Sequence, residues 1–224
     1  MRSAGSSTPP PEDLTARARI RDAAIVRWGT DGFGTGLRAV AADAGVSAGL
    51  VIHHFGSKDG LRAACDEHVF EIVRTSKTES VGGTGDPLAQ LASMDEYAPL
   101  LAYVVRTLQA GGPAARAFVE RMIDDAAGYV RAGVAAGTIR PSRDEHARAR
   151  FMTLASLGAL LLHVALDEPD IAARPAATMR AWSDSIALPA LELYTDGFFT
   201  SGEILDGYLA YSSDPPPSDA PPHP

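Results

Sequence analysis

Ala41 is followed four residues later by Gly45, with Val46 directly after it and Val51 five residues beyond. Two helices that cross closely need a small residue at the crossing, a left-handed residue at the turn and apolar contacts beside it. Ala41, Gly45, and the pair Val46 and Val51 supply these in that order. One such residue would mean little, but the combination within residues 37–55 specifies a helix-turn-helix. The first of its helices is expected from Leu37 to Ala44, and Val46-Ser47 opens the second, from Ala48 to about Phe55.

On a helical wheel, Val51 and Phe55 lie one turn apart on the inner face, with Ala48 and His54 at its edges. Gly49 and His53 point away from the core, flanked by Leu50 and Ile52. Such a face suits a DNA major groove. Gly49 permits close approach, Leu50 or Ile52 can meet thymine methyls, and His53 can reach a base edge or a phosphate. The competing reading is a plain helical hairpin whose neighbour covers Leu50 and Ile52, but a packing face leaves Ser47, His54 and Lys58 along one rim unexplained. Metal binding by His53 and His54 is excluded, because adjacent helical residues diverge by about 100° and no third ligand follows at a known spacing.

The rest of the chain is also helical in pattern. Apolar residues recur at spacings of three and four, alanine is abundant, and no run alternates with period two. The fold class is therefore all-α. A first helix is expected from Leu14 to Thr30, ended by the glycines of Asp31-Gly-Phe-Gly-Thr-Gly36. Ser57 is a good N-cap for a helix from Lys58 to about Ser76. Val81-Gly-Gly-Thr-Gly-Asp-Pro87 reads as a linker. Further helices follow at Leu88–Ala110, Pro113–Ala136, Glu145–Leu166 and Ala176–Phe199, with a short one at Ser201–Tyr211. Pro99 is expected to kink or split the first of these. The expected organisation is a tail over 1–13, a DNA-binding domain over 14–62, a C-terminal domain over 77–211 and a Pro-rich tail over 212–224.

The 224 residues include 46% hydrophobic side chains and one cysteine, Cys65. That composition supports one large domain or two small ones, excludes an intrachain disulfide, and fits a reducing cytoplasm. Cys65 reads as a small buried apolar residue. The N-terminal MRSAGSSTPPPEDL has no apolar core of a signal peptide. The apolar run Phe151–Leu166 falls short of the roughly 20 residues that span a bilayer, so no membrane partner is expected. Residues 1–60 carry seven Lys/Arg and six Asp/Glu, a net +1, so the remainder carries −9 of the chain's net −8. An acidic body with a near-neutral head orients the head toward a polyanion, although acidity that only keeps the body soluble explains the charge equally well. No Gly-rich phosphate loop, nucleophile elbow or metal-ligand spacing occurs, and the pairs Asp124-Asp125 and Asp167-Glu168 read as solvated charges, so neither an enzyme nor a cofactor is expected. A helix-turn-helix protein that binds only other proteins is the remaining alternative.

Residues 14–62 resemble the DNA-binding domain of the tetracycline-repressor-like (TetR) family of bacterial regulators. The resemblance is carried by Phe33, Thr35, Arg38, Ala41, Ala44-Gly45-Val46-Ser47, Gly49, His54-Phe55, Ser57-Lys58 and Leu61. VRAGVAAGTIRPSRDEHARARF is similar to a link found in actinobacterial members. The resemblance implies a cytoplasmic homodimer on a pseudo-palindromic double-stranded operator, with a divergent C-terminal domain that dimerises and binds a small-molecule effector. It also implies a repressor released by an apolar or amphipathic effector, with efflux or lipid genes among the family's targets. Carried over, Thr35, Ser47, His54 and Lys58 fall on phosphate-contacting positions, with Arg38 among the DNA-binding residues. Ala48, Gly49, Leu50 and His53 fall on base-facing positions. Ile52 departs from the family's usual tyrosine, whose hydroxyl meets a phosphate, and is either a methyl-reading contact or packing.

In the C-terminal part, Met94, Tyr97, Leu101, Tyr103, Val104, Phe118, Met122 and Tyr129 are candidates for an adaptable apolar effector site, or simply core. The helix Phe151–Leu166 is apolar nearly all round and is either deeply buried or half of a subunit interface. Leu154, Leu157, Leu161, Leu188 and Leu191 are the candidates for dimer contacts.

Overall fold

The computed structural model describes residues 11–81, 87–166, 171 and 173–213, with side chains described outside 11–14, 87–96 and 213. The expected linker at 82–86, most of the tails, Asp167 and Glu168 lie outside the described residues. All the regular structure described is helical. The elements are α1 (Pro11–Asp31), α2 (Leu37–Asp43), α3 (Ala48–Phe55), α4 (Lys58–Val81), α5 (Pro87–Ala110), α6 (Gly112–Ala136), α7 (Glu145–Leu166), α8 (Pro175–Asp196) and α9 (Glu203–Ser213). Helix α4 continues five residues past Ser76, up to the residue before Gly82. Pro99 does not split α5, which runs unbroken through it. The proline removes one ladder hydrogen bond, and buried neighbours on that helix, Ala98 and Leu101, hold the turn in place.

Contacts divide the chain into two units, residues 1–182 and 183–224. In the first, the core of the helix-turn-helix is continuous with that of α5 and α6: Ile20, Trp28, Val40, Val51, Leu61 and Val69 pack in one cluster with Tyr103, Val104 and Phe118. A second cluster joins Leu101, Ala102 and Val105 of α5 to Leu160 and Val164 of α7 and to Ile171. A third, smaller one joins Ala126 and Ala127 of α6 to Ala149 of α7.

Helix α7 is not deeply buried. Phe151 is 69% exposed, Leu162 62% and Leu166 77%. By length and composition α7 also suffices to cross a membrane, because the helix starts at Glu145, six residues before the apolar run used in the sequence argument. Those added residues carry ion pairs, Arg148 to Glu145 and Arg150 to Glu120 of α6, and Ala149, Leu160 and Val164 are buried against neighbours. In the second unit, Leu188, Leu191, Phe198, Phe199, Ile204 and Tyr208 are all exposed.

Candidate nucleic-acid interface

The turn between α2 and α3 is built by hydrogen bonds that only a left-handed residue permits. Gly45 has φ +64°. Its N–H donates to the Ala42 carbonyl at 3.1 Å, and the Val46 N–H reaches back to the Ala41 carbonyl at 2.9 Å, the pairing that satisfies the last carbonyls of a helix ending in glycine. Ala41 and Val51 are buried and Val46 half-buried. Helix α3 is then capped at both ends. The Ser47 hydroxyl oxygen accepts from the Leu50 N–H at 3.2 Å, and Gly56, with φ +72°, donates to the Ile52 carbonyl at 2.8 Å.

Of the residues on α3 expected to face DNA, Gly49, Ile52 and His53 are exposed, with Ile52 46% accessible. Ala48 and Leu50 are half-buried and pack on the core cluster. Each gives part of its surface to that cluster, so their outward area is partial. Around this face, Arg38 and Ser47 are exposed and Thr35 and His54 half-buried. The Ser47 oxygen serves the cap, yet its O–H hydrogen is available to donate outward.

Lys58 is not a free surface cation. Its Nζ donates to the Phe33 carbonyl at 2.5 Å and ties the α1–α2 loop to the start of α4. An ammonium has three donors, so two remain for a phosphate.

Several contacts that seat the helix-turn-helix escaped the sequence reading. Arg17 of α1 donates to the His54 carbonyl at 3.4 Å and stacks over the Phe55 ring at 4.9 Å. Arg27 of α1 grips Asp43, the last residue of α2, through two nitrogens at 2.5 and 2.6 Å and reaches Asp31 at 2.8 Å. Its hydrogen bond holds the Asp43 carboxyl below the usual carboxylate range. Arg62 of α4 lies 3.8 Å over the Phe33 ring. The sequence offered a weak signal for one of these: Arg17 stands on the flank of α1, but its partners at His54 and Phe55 are distant in sequence.

The expected effector residues are spread over the packed clusters. Tyr103, Val104, Phe118 and Met122 belong to the cluster shared with the helix-turn-helix, Leu101 to the cluster with α7, and Tyr129 to the small cluster around Ala126. Tyr97 is half-buried, and the Met94 side chain lies outside the described residues. Two clefts among the described residues open elsewhere. One of about 660 Å³ lies beside Val26, Arg27 and Asp43, and one of about 320 Å³ beside Arg17, Phe55 and His68. Among the expected dimer residues, Leu154, Leu188 and Leu191 are exposed, whereas Leu157 and Leu161 are half-buried and pack inward. No group of three or more His, Cys, Asp or Glu that could hold a metal occurs among the described residues.

Comparison with known proteins agrees with this geometry. Residues 20–65 match the family model described as bacterial regulatory proteins, tetR family, and residues 95–200 match the tetracyclin repressor-like C-terminal domain. The chain is 49% identical over 201 residues to the HTH-type transcriptional regulatory protein RaaS of Mycobacterium tuberculosis, covering 88% of this chain and 93% of that one. An HTH-type regulator BetI from Burkholderia ambifaria is 36% identical over 80 residues, 35% of this chain and 41% of the relative. Among solved structures, the regulator FadR from Bacillus subtilis, in complex with stearoyl-CoA, superposes with a TM-score of 0.51 at 16% identity, over 81% of this chain and 99% of that one. At that identity the likeness is one of fold alone. With both halves matched and a relative of this identity along nearly its whole length, the chain belongs to the TetR family and is a helix-turn-helix transcriptional regulator rather than an enzyme.

Proposed function

We propose that two copies of this chain read a pseudo-palindromic operator, each placing α3 in a major groove and releasing the DNA when a small apolar or amphipathic molecule binds the C-terminal part. The observation that carries this reading is the capped α3, which rests on buried Val51 while leaving Gly49, Ile52 and His53 exposed together. Gly49 lets the backbone approach base edges, Ile52 offers a methyl-sized contact, and His53 a hydrogen-bonding ring. Thr35, Arg38, Ser47, His54 and Lys58 surround them as phosphate ligands, and Ala48 and Leu50 contribute their outward edges. DNA reading places the protein in the cytoplasm.

The dimer reading is supported by exposed Leu154 on α7 and exposed Leu188 and Leu191 on α8. The effector reading changes in form: Tyr103, Val104 and Phe118 are nearly inaccessible, so a ligand would have to open packed interior between α5 and α6 rather than enter a standing pocket.

Electrophoretic shift of genomic fragments tests the DNA reading. A small set of fragments retarded at nanomolar protein, against micromolar or weaker binding of bulk DNA, is expected. Uniform weak retardation of every fragment would refute sequence-specific regulation by this chain alone.

A further inference from the structure

Helix α5 lies outside the helix-turn-helix, yet it touches both helices that carry it. Near the end of α1 the two backbones nearly meet: a Cβ on Gly29 would stand 3.1 Å from the Tyr103 nitrogen and 3.2 Å from the Ala102 Cβ. One turn along α5, Arg106 donates from Nε to the Gly29 carbonyl at 3.2 Å and from Nη2 to the Thr30 carbonyl at 3.1 Å. These are carbonyls of the last turn of α1, which have no partner within their own helix and attract a cation. Tyr103 is fully buried. Its hydroxyl donates to Asp66 Oδ1 of α4 at 2.6 Å, and its ring meets Phe33 edge-on at 5.5 Å. Phe33 in turn packs on Trp28 at 5.8 Å, carries Arg62 over its ring and gives its carbonyl to Lys58. The loop that leads into α2 is thereby gripped from α1, α4 and α5 together.

We propose that Tyr103 and Arg106 are positioning residues for operator recognition: α5 fixes the angle at which the helix-turn-helix leaves the body, and so fixes the separation of the two recognition helices in a dimer. This rests on the paired reading of DNA proposed above. A rigid joint makes the dimer a caliper, since both α3 helices reach their grooves only when the half-sites stand at one spacing. Loosening the joint leaves each α3 intact but lets the caliper flex. Neither side chain needs to touch DNA for this, because each acts through carbonyls and a carboxylate of the helices that hold α3.

The test uses the full-length protein and an operator fragment selected by the wild type, together with versions carrying one base pair inserted or deleted between the half-sites. Wild type is expected to lose about tenfold or more in affinity on the altered spacings. Tyr103→Phe, which removes only the hydroxyl, and Arg106→Gln are expected to bind the native operator about fivefold to tenfold more weakly, bind non-specific DNA as wild type does, and show a spacing penalty of about threefold or less. Arg106→Lys, which keeps a cation at the end of α1, should restore part of the discrimination. A merely structural role would lower specific and non-specific binding together with the melting temperature, leave the spacing penalty unchanged, and overturn the proposal. Should Tyr103→Phe fail to fold, the half-buried Arg106 carries the test. A wild type without any spacing penalty would sink the paired reading and this proposal with it, whereas a penalty retained in the variants sinks the joint alone.

Discussion

Gly60 stands in the first turn of α4, where helix propensity alone favours alanine by up to about 1 kcal/mol. The structure reverses the sign. A Cβ at position 60 would lie 2.0 Å from the Phe55 carbonyl oxygen and 3.2 Å from its carbonyl carbon. Carbon and carbonyl oxygen rest at about 3.3 Å or more, so more than an ångström of separation must be found. The obstacle is backbone at the last residue of α3, and backbone cannot swing aside as a side-chain tip can. Overpacking of this kind costs about 1–3 kcal/mol and occasionally more, and a backbone neighbour places Gly60→Ala at the upper end. After the propensity gain is subtracted, the net loss is about 2 kcal/mol. For a chain of this size that lowers the melting temperature by about 4–8 °C.

The displaced element is the recognition helix, so operator affinity should fall as well at temperatures far below melting. Gly128→Ala on α6 is the control. Nothing lies within 4 Å of a Cβ there, and the propensity gain should raise the melting temperature by about 2–4 °C. Calorimetry of the two variants beside wild type decides the matter. A Gly60→Ala protein that melts above wild type, as Gly128→Ala should, would refute the close contact between α3 and α4 on which the seating of the recognition helix depends.

Burial lowers the His68 pKa, with Arg21 pushing the same way and Asp22 and Glu71 opposing. The unfolded chain therefore binds this proton more readily, and stability present above about pH 6.5 should be lost as pH falls through the depressed value; His68→Gln should flatten that limb in a melting series. Cys65 is fully buried and its thiol is pushed far above the ordinary range by burial, so a thiol reagent should label the protein only after denaturant is added, and rapid native labelling would contradict the packing of α4 on α1. Leu188→Arg places a charge on a side chain that is 73% exposed, so it should dissociate a dimer without unfolding the chain, read by light scattering beside circular dichroism. Leu161→Arg is a poorer probe, because Leu161 packs on the α5–α7 cluster and the charge would damage the fold itself.

How far the sequence could be read depends on how locally each feature is determined. Helices α2 and α3 were legible nearly to the residue because Gly45, Ser47, Gly56 and Ser57 act within a few positions of themselves. The outward placement of Gly49 and His53 followed from the same periodicity. The end of α4 was placed early at Ser76, although Lys77 to Val81 contains no breaker and Gly82-Gly83 follows. The roles of Tyr103 and Phe118 stayed open for a different reason. Their amphipathic and aromatic character suits a ligand site and a core equally, and nothing near them in sequence reveals that Tyr103 meets Asp66 and Phe33 or that Phe118 meets Phe70. Lys58 shows the same limit: its position beside α3 suggested a phosphate, and nothing near it in sequence revealed the Phe33 carbonyl that occupies one of its donors.

The seating of α3 also separates stability from specificity. With eight residues the helix is too short to persist alone, and its order comes from buried Val51, the Ser47 cap, the Gly56 turn and the Arg17 clasp on its last residues. None of these uses the side chain of Gly49, Ile52 or His53, and the Gly56 turn takes only the Ile52 carbonyl, so that face can change without cost to the fold. Ile52→Tyr tests the separation. Isoleucine and tyrosine have nearly equal helix propensity, and substitutions at exposed positions usually stay within about 0.5 kcal/mol, so the melting temperature should not move. The added hydroxyl can donate to a phosphate, a gain of about 1 kcal/mol net per half-site and thus roughly fivefold at each. A dimer engaging both half-sites should gain about twenty-fivefold. The hydroxyl carries no charge and releases no additional counterion, so the slope of affinity against salt should stay unchanged. A fall in melting temperature would place Ile52 in the packing of α3, and a loss of operator affinity at unchanged stability would identify it instead as a base contact that the larger ring displaces.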